Sequence, residues 1–407
     1  MLYLVTASLG MPPQSLRLHI DTGSSDLWVN TPSSSLCSAS ARSCSAAGTY
    51  NANASATYRY VGSWFNISYV DGSSALGDYA TDLLSIGGAS VLDFQFGIGY
   101  FSSTNQGILG IGYPTNEMQV DRAGKMPYPN LPAALAATGL TQSNAFSLYL
   151  NNLSSSTGNV LFGGIDTAQF TGPLWTLPIL AQQGGKFSQF YVTLTGLSLG
   201  STGLGSNLAL AVLLDSGSSL TYLPDDIVWH IFRLTGAMYD EEDGVAFVPC
   251  SLATSTSTLN FIFTSPSIRV PMSELVLDLF DSTSHQVKFS NGVDACLFGI
   301  APSGGGTNVL GDTFIRSAYV VYDLSNNEIS MAQSRFNVDS SKIVEITTAG
   351  VPFASPVTSP IPATWGIISG AENVAAWGGS ASLLASAWAR TVAAVVFVVV
   401  IAAHAAW

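Results

Sequence analysis

Hydrophobic and polar residues alternate in many short runs along the chain. The opening stretch MLYLVTASLGMPPQS, YVTLTGLSL (191–199) and AYVVYDL (318–324) follow the two-residue period of β-strands. Helical signals are few: PNLPAALAATGL (129–140) ends near a glycine, and DDIVWHIFRLTGA (225–237) has an acidic start and a glycine near its end. The pattern therefore predicts an all-β protein with two helices.

Composition narrows the class of protein. The chain has 407 residues, of which 47% are hydrophobic and 10% charged, so it is long enough for two folded domains. Its 13 basic and 26 acidic residues give a formal net charge of −13, which repels nucleic acid and suits an acidic environment. Neither the four histidines nor the cysteines have the spacing of a metal site. We expect neither a metal nor a cofactor.

One short motif occurs twice. HIDTGSSDLWV (19–29) and VLLDSGSSLTYL (212–223) each place an aspartate after an apolar run and before a hydroxyl residue, glycine and two serines. Each is followed by two branched apolar residues and a glycine, in GILGIGYP (107–114) and NVLGDTF (308–314). Glycine there lets the backbone pack closely against the aspartate loop. The order predicts two duplicated lobes, related by an approximate two-fold, that bring Asp21 and Asp215 face to face.

Two facing carboxyl groups have a definite chemistry. They cannot both ionise at close range, so they share a proton and act as base and acid together. Such a pair could activate water for attack on a carbonyl group without a covalent intermediate. Backbone amides beside the two glycines and the neighbouring hydroxyls would orient the carboxylates; these supporting residues are Thr22, Gly23, Ser24, Ser216, Gly217 and Ser218. Turn formation alone is the simpler interpretation of each motif taken singly.

These motifs, with ISYVDGSSALGDYATD (67–82), FGGIDTAQFTGPL (162–174) and VLGDTFIRSAYVVYDLSNNEISMA (309–332), resemble the pepsin-like aspartic proteases. The similarity runs from about Tyr3 to about Ala332. Within the family, the chain most resembles the fungal, lipid-anchored yapsin-like branch. It implies a bilobal all-β fold, with lobes at 1–170 and 171–340, a deep cleft and a flap hairpin. It also implies an endopeptidase that cleaves extended polypeptides at acidic pH, with Asp21 and Asp215 as the catalytic pair.

The resemblance implies a flap as well. Tyr69 would be the flap tyrosine, with its hydroxyl hydrogen-bonded to the indole N–H of Trp28. Asp71 and Gly72 form a good hairpin-turn dipeptide at the flap tip, where they would contact substrate. The chain departs from the family at Val70, where a glycine usually follows the flap tyrosine. Asp71 and the acidic surface favour Lys or Arg beside the bond that is cut.

Three other functions are compatible with parts of the sequence. The same fold could be a catalytically idle binding or inhibitor module, although both aspartates and both adjacent glycines are intact. GLSLG (196–200) matches the GxSxG elbow of serine hydrolases, but that elbow needs a following helix, and the chain after Ser198 is glycine-rich and then strand-like. Paired carboxylates could also serve a glycosidase. We expect a protease.

Cysteines and sequons favour the secretory route. Four cysteines allow three pairings, and the sequential one, Cys37–Cys44 with Cys250–Cys296, keeps each bridge within one half of the chain. Asn-x-Ser sequons lie at Asn53, Asn66 and Asn152, which are candidates for N-glycosylation. The first residues lack a signal peptide, so we expect an incomplete or processed form of a longer precursor. The enzyme is expected to be an extracellular monomer.

The C-terminal region differs in composition. Residues 341–380 are rich in Pro, Ser, Thr and Ala, which predicts a linker. Residues 381–407 end in an apolar run shorter than the roughly 20 residues of a spanning helix. Small residues at 378–380 and Arg390 precede that run, as in a cleaved glycosylphosphatidylinositol (GPI) anchor signal. The sequence therefore predicts attachment to the outer cell surface or cell wall, with a secreted enzyme or a short transmembrane helix as alternatives.

Overall fold

The computed structural model describes residues 2–39, 44–281, 284–366 and 397–404. Within these ranges the chain is mostly β-strand, as the alternating pattern predicts. The strands of the first half are β1 (Leu2–Leu9), β2 (Gln14–Asp21), β3 (Leu27–Asn30), β4 (Arg59–Ser68), β5 (Ser74–Ile86), β6 (Ala89–Ser102), β7 (Gly107–Gly110), β8 (Ala145–Tyr149), β9 (Thr157–Phe162), β10 (Gly164–Asp166) and β11 (Phe170–Pro178).

The second half contributes shorter strands on average. They are β12 (Tyr191–Leu199), β13 (Thr202–Leu214), β14 (Thr221–Leu223), β15 (Met238–Asp240), β16 (Val245–Pro249), β17 (Thr258–Ile262), β18 (Ser267–Pro271), β19 (Val276–Leu277), β20 (Ala295–Phe298), β21 (Ile300–Pro302), β22 (Val309–Leu310), β23 (Ala318–Asp323), β24 (Glu328–Ser334), β25 (Ile343–Glu345), β26 (Ala354–Pro356) and β27 (Phe397–His404).

Helices are short and few. The α-helices are α1 (Ser35–Ala39), α2 (Met118–Asp121), α3 (Leu131–Ala137), α4 (Asp225–Thr235), α5 (Met272–Leu275) and α6 (Asp312–Ile315). Short 3-10 helices lie at Ala52–Ala54, Pro114–Asn116, Gln183–Gly185 and Cys250–Thr254. Both predicted helices form, and α4 is followed by the C-cap residue Gly236 in the left-handed conformation (φ 70°), which glycine adopts without strain. Among the residues that the structure describes, no helix is long and apolar enough to cross a membrane.

The two halves repeat one arrangement of four strands. In the first half the order is β2-β7-β3-β6, and in the second it is β13-β22-β14-β21. Each unit pairs in the sequence parallel, antiparallel, parallel. The first strand of each unit runs directly into an aspartate, since β2 ends at Asp21 and β13 ends one residue before Asp215. The prediction of two duplicated β lobes is thus confirmed.

Larger sheets connect these units. The first unit belongs to a 14-stranded sheet. In that sheet β9 pairs with β8, β8 pairs with β23, and β24, β11 and β26 follow in that order, so strands from both halves share it. The second unit belongs to a seven-stranded sheet. Smaller sheets of four and two strands complete the architecture. Both predicted disulfides form, and each lies within one half of the chain.

The C-terminal region packs more closely than its composition predicts. The described part of the predicted linker, residues 341–366, is not a free linker. Strand β25 pairs with β10 and β26 with β11, while Ile346, Val357 and Ala363 are buried. A few buried apolar side chains are enough to hold this Pro- and Ser-rich segment against the rest of the protein.

Part of the predicted anchor signal forms a strand. Strand β27 pairs on one side with β1 and on the other with β9. The small-residue cluster at 378–380 and Arg390 lie outside the described residues. The interpretation of residues 381–407 as an anchor signal stays a prediction.

Candidate active site

The two aspartate loops are tied to each other by reciprocal hydrogen bonds. The Thr22 hydroxyl accepts from the Ser216 amide at 2.9 Å and donates to the Leu214 carbonyl at 3.0 Å. The Ser216 hydroxyl accepts from the Thr22 amide at 3.1 Å and donates to the Ile20 carbonyl at 3.1 Å. All four bonds cross between the halves of the chain. The hydroxyl residue after each aspartate therefore locks one loop against the other.

Each carboxylate is held by its own loop in the same way. Asp21 accepts from the Gly23 amide at 2.8 Å with one oxygen and from the Ser24 hydroxyl at 2.5 Å with the other. Asp215 accepts from the Gly217 amide and the Ser218 hydroxyl, both at 2.8 Å. Small residues are needed here because the loops approach closely. A Cβ atom on Gly23 would lie 2.5 Å from Asp215 Oδ1.

The glycine after each apolar pair lets the backbone pack directly against the aspartate loop of its own half. A Cβ on Gly110 would lie 2.6 Å from the backbone nitrogen of Ser25, and one on Gly311 would overlap the carbonyl oxygens of Ser218 and Leu220. The Gly110 amide also donates to the Asp26 carbonyl at 3.0 Å. These close approaches explain why the glycine recurs in both halves, as the spacing of the motifs predicts.

A hairpin made of β4 and β5 carries Tyr69 near this site. Its tip is a tight turn in which the Gly72 amide donates to the Tyr69 carbonyl at 3.1 Å, and Gly72 has a φ of 83°. The Trp28 indole N–H donates to the Tyr69 hydroxyl at 2.8 Å. Burial, and then the nearby Asp21 carboxylate, raise the pKa of the Tyr69 phenol well above its usual range. Val70 is fully exposed at the tip.

Comparison with known proteins decides the family. The family model "Eukaryotic aspartyl protease" matches residues 2–334. The chain belongs to this family. It is 52% identical over 379 residues to the "Probable aspartic-type endopeptidase opsB" of Aspergillus oryzae, which covers 91% of this chain and 77% of that protein.

More distant relatives agree. The chain is 32% identical to "Aspartic proteinase 3" of Saccharomyces cerevisiae, over 86% of this chain and 73% of that protein. The fold is similar to that of an aspartic proteinase from Irpex lacteus, with a TM-score of 0.68, 21% identity, and coverage of 84% of this chain and 96% of the other. This aspartyl protease is an aspartic-type endopeptidase with the bilobal pepsin-like fold.

Electrostatics of the aspartyl protease site favour a shared proton. Burial raises the pKa of both Asp21 and Asp215 above the usual range. The Asp21 charge raises the pKa of Asp215 further, against the hydrogen bonds from Ser218 and Gly217. The two carboxyl groups lie close enough for each to change the pKa of the other. One proton between two carboxyl groups is the state that this geometry stabilises.

Sequence reasoning missed a third carboxylate close to the pair. Asp26 is completely buried and accepts hydrogen bonds from Tyr79, Tyr128 and the Met118 amide. A charged residue directly before the buried run LWV of β3 is the signal that could have identified it. Its donors could not be identified in the same way, because they come from distant parts of the chain.

Ser198 does not lie on a nucleophile elbow. It is inside β12, where its hydroxyl accepts from the Asn260 side chain at 3.0 Å, and the chain continues through a turn into β13 rather than into a helix. A grouping of Cys250, Asp278 and Cys296 brings three ligand-type atoms together, but both sulfurs belong to a disulfide. The predicted sequons lie at the surface, since Asn53 and Asn66 are exposed and Asn152 is half-buried.

Proposed function

We propose that Asp21 and Asp215 are the catalytic pair of this endopeptidase. The observation that carries the proposal is the mirrored support of the two carboxyl groups. Each accepts one backbone amide and one serine hydroxyl from its own loop, and the charge of Asp21 raises the pKa of Asp215. Two carboxyl groups with matched surroundings and one proton can act as base and acid in the same reaction.

The proton balance of the reaction follows from that arrangement. The ionised carboxylate takes a proton from a bound water, whose oxygen forms a bond to the carbonyl carbon of the substrate. The protonated partner gives its proton to the carbonyl oxygen, which leaves an uncharged tetrahedral intermediate. When the C–N bond breaks, the carboxyl that received the water proton passes it to the departing nitrogen, and the other carboxylate takes back a proton from a diol hydroxyl as the new carboxyl group forms. The pair returns to its starting state with one shared proton.

Activity is expected to be restricted to acidic and weakly acidic pH. The raised pKa of Asp215 keeps the shared proton bound to a higher pH than a free carboxyl group would, and activity falls as the pH rises through that raised pKa. The measurement is cleavage of a denatured protein from acid to neutral pH. Pepstatin should block it, whereas EDTA and a serine-directed reagent should not. Cleavage insensitive to pepstatin, or abolished by EDTA, would contradict the proposal.

We also propose that the flap selects cationic side chains. Asp71 is exposed at the flap tip. Tyr222 lies on β14, beside the second aspartate loop, and its pKa is raised by burial and then by the Asp71 carboxylate. The Asp71 carboxylate therefore acts on Tyr222, a residue of the strand that follows the second aspartate loop. Its Oδ1 also accepts from the Ser73 amide at 2.8 Å, which by itself would explain the residue as a turn former.

Asp71→Asn separates these two roles. Asparagine keeps an oxygen for the Ser73 amide and removes only the charge. For peptides with Lys or Arg beside the cleaved bond we expect kcat/KM to fall about fivefold, the effect of one exposed charge, with apolar peptides unchanged. Profiling a peptide library with both enzymes measures this difference. An equal loss on all peptides, or a strict apolar preference in the unmodified enzyme, would rule out the selectivity.

The enzyme is proposed to be extracellular and held on the cell surface by a glycolipid. Support comes from the order of sequence features: small residues at 378–380, Arg390, and an apolar run close to the last residue. Removal of that run would also remove β27 from between β1 and β9.

Treatment of intact cells with phosphatidylinositol-specific phospholipase C tests the anchor. We expect release of a protein that lacks VAAVVFVVVIAA (392–403) by mass spectrometry. A membrane form that still contains this peptide would indicate a transmembrane segment. A soluble form that still contains it would indicate that β27 is a permanent strand of the secreted enzyme.

A further inference from the structure

A single loop carries two buried carboxyl groups with different surroundings. Asp21 begins the loop and lies beside Asp215, whereas Asp26 ends it and bonds to residues outside the loop. Asp26 Oδ1 accepts from the Tyr79 hydroxyl at 2.6 Å and from the Tyr128 hydroxyl at 2.9 Å. Its Oδ2 accepts from the Met118 amide at 2.9 Å. Every one of these donors lies outside the loop, so Asp26 joins it to three other segments.

Those segments surround the base of the flap. Tyr79 is on β5, the second flap strand, opposite Gly62 of β4. Its ring meets Phe65 of β4 edge-on at 5.3 Å, and Phe65 in turn packs against Trp28 at 6.3 Å. Trp28 is two residues after Asp26 and donates to the flap tyrosine. A closed circuit of contacts thus leads from Asp26 through both flap strands to Trp28.

A second buried carboxyl group steadies one of the phenols. Glu117 is completely buried, and its Oε2 accepts from the Tyr128 backbone amide at 2.8 Å. Burial raises the pKa of Glu117 to about 10, so this side chain is neutral in the working range of the enzyme. The Tyr128 ring meets the Tyr79 ring edge-on at 6.0 Å. Tyr128 is therefore fixed at its backbone, its ring and its hydroxyl.

We propose that Asp26 is a positioning residue, which sets the flap base against β3 through Tyr79 and Tyr128 and so brings Tyr69 to Trp28. The inference rests on the proposed catalytic pair, because it gives the loop that carries Asp21 a second task. Loss of either phenol leaves the carboxylate short of a donor inside the protein. The flap then shifts relative to Asp21, and the bound peptide loses its alignment with the attacking water.

The chain offers a matched control for the chemistry of this group. Asp82 is also buried and also accepts three hydrogen bonds, from the Tyr50 hydroxyl at 2.5 Å, the Thr57 hydroxyl at 2.5 Å and the Leu83 amide at 2.8 Å. The Tyr50 ring packs edge-on against Phe96 at 5.1 Å, outside the circuit that leads to Trp28. Asp82 also lies on β5, but Tyr50→Phe removes its hydrogen bond without changing any residue of the circuit that leads to Trp28.

The experiment compares Tyr79→Phe and Tyr128→Phe with Tyr50→Phe. Denaturant unfolding should give similar losses of stability for all three, since each removes one phenol hydroxyl from a buried carboxylate. On a long peptide substrate, kcat/KM should fall about tenfold for the first two, the order of effect expected from misalignment. Tyr50→Phe should stay within about twofold of the unmodified enzyme. If Tyr79→Phe folds poorly, Tyr128→Phe still tests the positioning role of Asp26, because it removes the other phenol donor.

A double-variant cycle tests the route through the flap tyrosine. In a Tyr69→Phe background, which lacks the acceptor for Trp28, Tyr79→Phe should lower kcat/KM by less than about twofold. Equal kinetic effects of Tyr79→Phe and Tyr50→Phe, or fully additive effects of Tyr79→Phe and Tyr69→Phe, would overturn the positioning role. Retained activity in Asp21→Asn or Asp215→Asn would instead overturn the catalytic pair. The two failures are therefore distinguishable.

Discussion

Asp21→Asn and Asp215→Asn are each expected to abolish peptide hydrolysis without unfolding the protein. An asparagine oxygen can still accept the amide of Gly23 or Gly217, and its NH2 group can donate to the serine hydroxyl that formerly donated to the carboxylate. The loops therefore keep their shape. An amide cannot take a proton from water or return one, so we expect kcat to fall by about 10⁴-fold.

The pattern across variants is as informative as the loss itself. Because the two carboxyl groups act as one unit, the double variant should be no less active than either single variant. Ser198→Ala is the control, since this serine only accepts from Asn260 and donates to the Gly200 carbonyl. It should retain full activity. Substantial turnover by either asparagine variant, or an inactive Ser198 variant, would show that the catalytic residues lie elsewhere.

The sequence predicted those parts of the site whose geometry is set by neighbours in the chain. A hydroxyl residue, a glycine and a serine that directly follow an aspartate determine what its carboxylate can bond to, and the motif occurs twice. Its repetition at similar distances from an apolar pair and glycine was enough to predict the facing loops. Strand β1, helix α4 and the turn at Gly72 followed from equally local patterns.

Features that depend on distant partners were not predictable in this way. Asp26 finds its donors at Tyr79 and Tyr128, in segments with no periodic relation to its own. Residues 341–366 have a linker composition. A few of their apolar side chains are nevertheless buried, and their strands pair with strands from much earlier in the sequence. The composition of a segment reports its average hydrophobicity. Whether the segment packs on the protein depends on a few apolar residues and on the surface that they contact.

A buried ion pair in the second half of the chain provides the largest expected effect on stability. Arg316 follows α6, and its Nε donates to Glu274 Oε2 at 2.6 Å, with both side chains almost inaccessible to solvent. Its Nη2 also donates to the Glu274 carbonyl. Both Glu274 oxygens accept from the Leu153 amide, at 3.2 and 3.0 Å. The pair therefore connects α5 and α6 to the loop after β8.

Asp312 cannot replace Glu274 as the counter-charge. It lies one helical turn before Arg316, but burial raises the pKa of its carboxyl group well above the usual range, against the opposing effect of the Arg316 guanidinium. Neither Asp312 oxygen has a hydrogen-bond partner among the described residues. Burial therefore favours the uncharged form of this carboxyl group. The Arg316 charge is thus balanced by Glu274.

Arg316→Met should therefore lower the free energy of unfolding by about 3 to 5 kcal/mol, because it leaves the Glu274 carboxylate buried with only the Leu153 amide as a partner. Urea unfolding near neutral pH measures the change. Arg316→Met combined with Glu274→Leu should recover much of the loss, since no unpaired charge remains. Arg59→Met, which breaks an exposed pair with Asp93 at 3.4 Å, is the control and should cost less than about 1 kcal/mol. If Arg316→Met costs no more than this surface variant, or if the double variant is less stable than the single one, the buried charge is not the source of the stability.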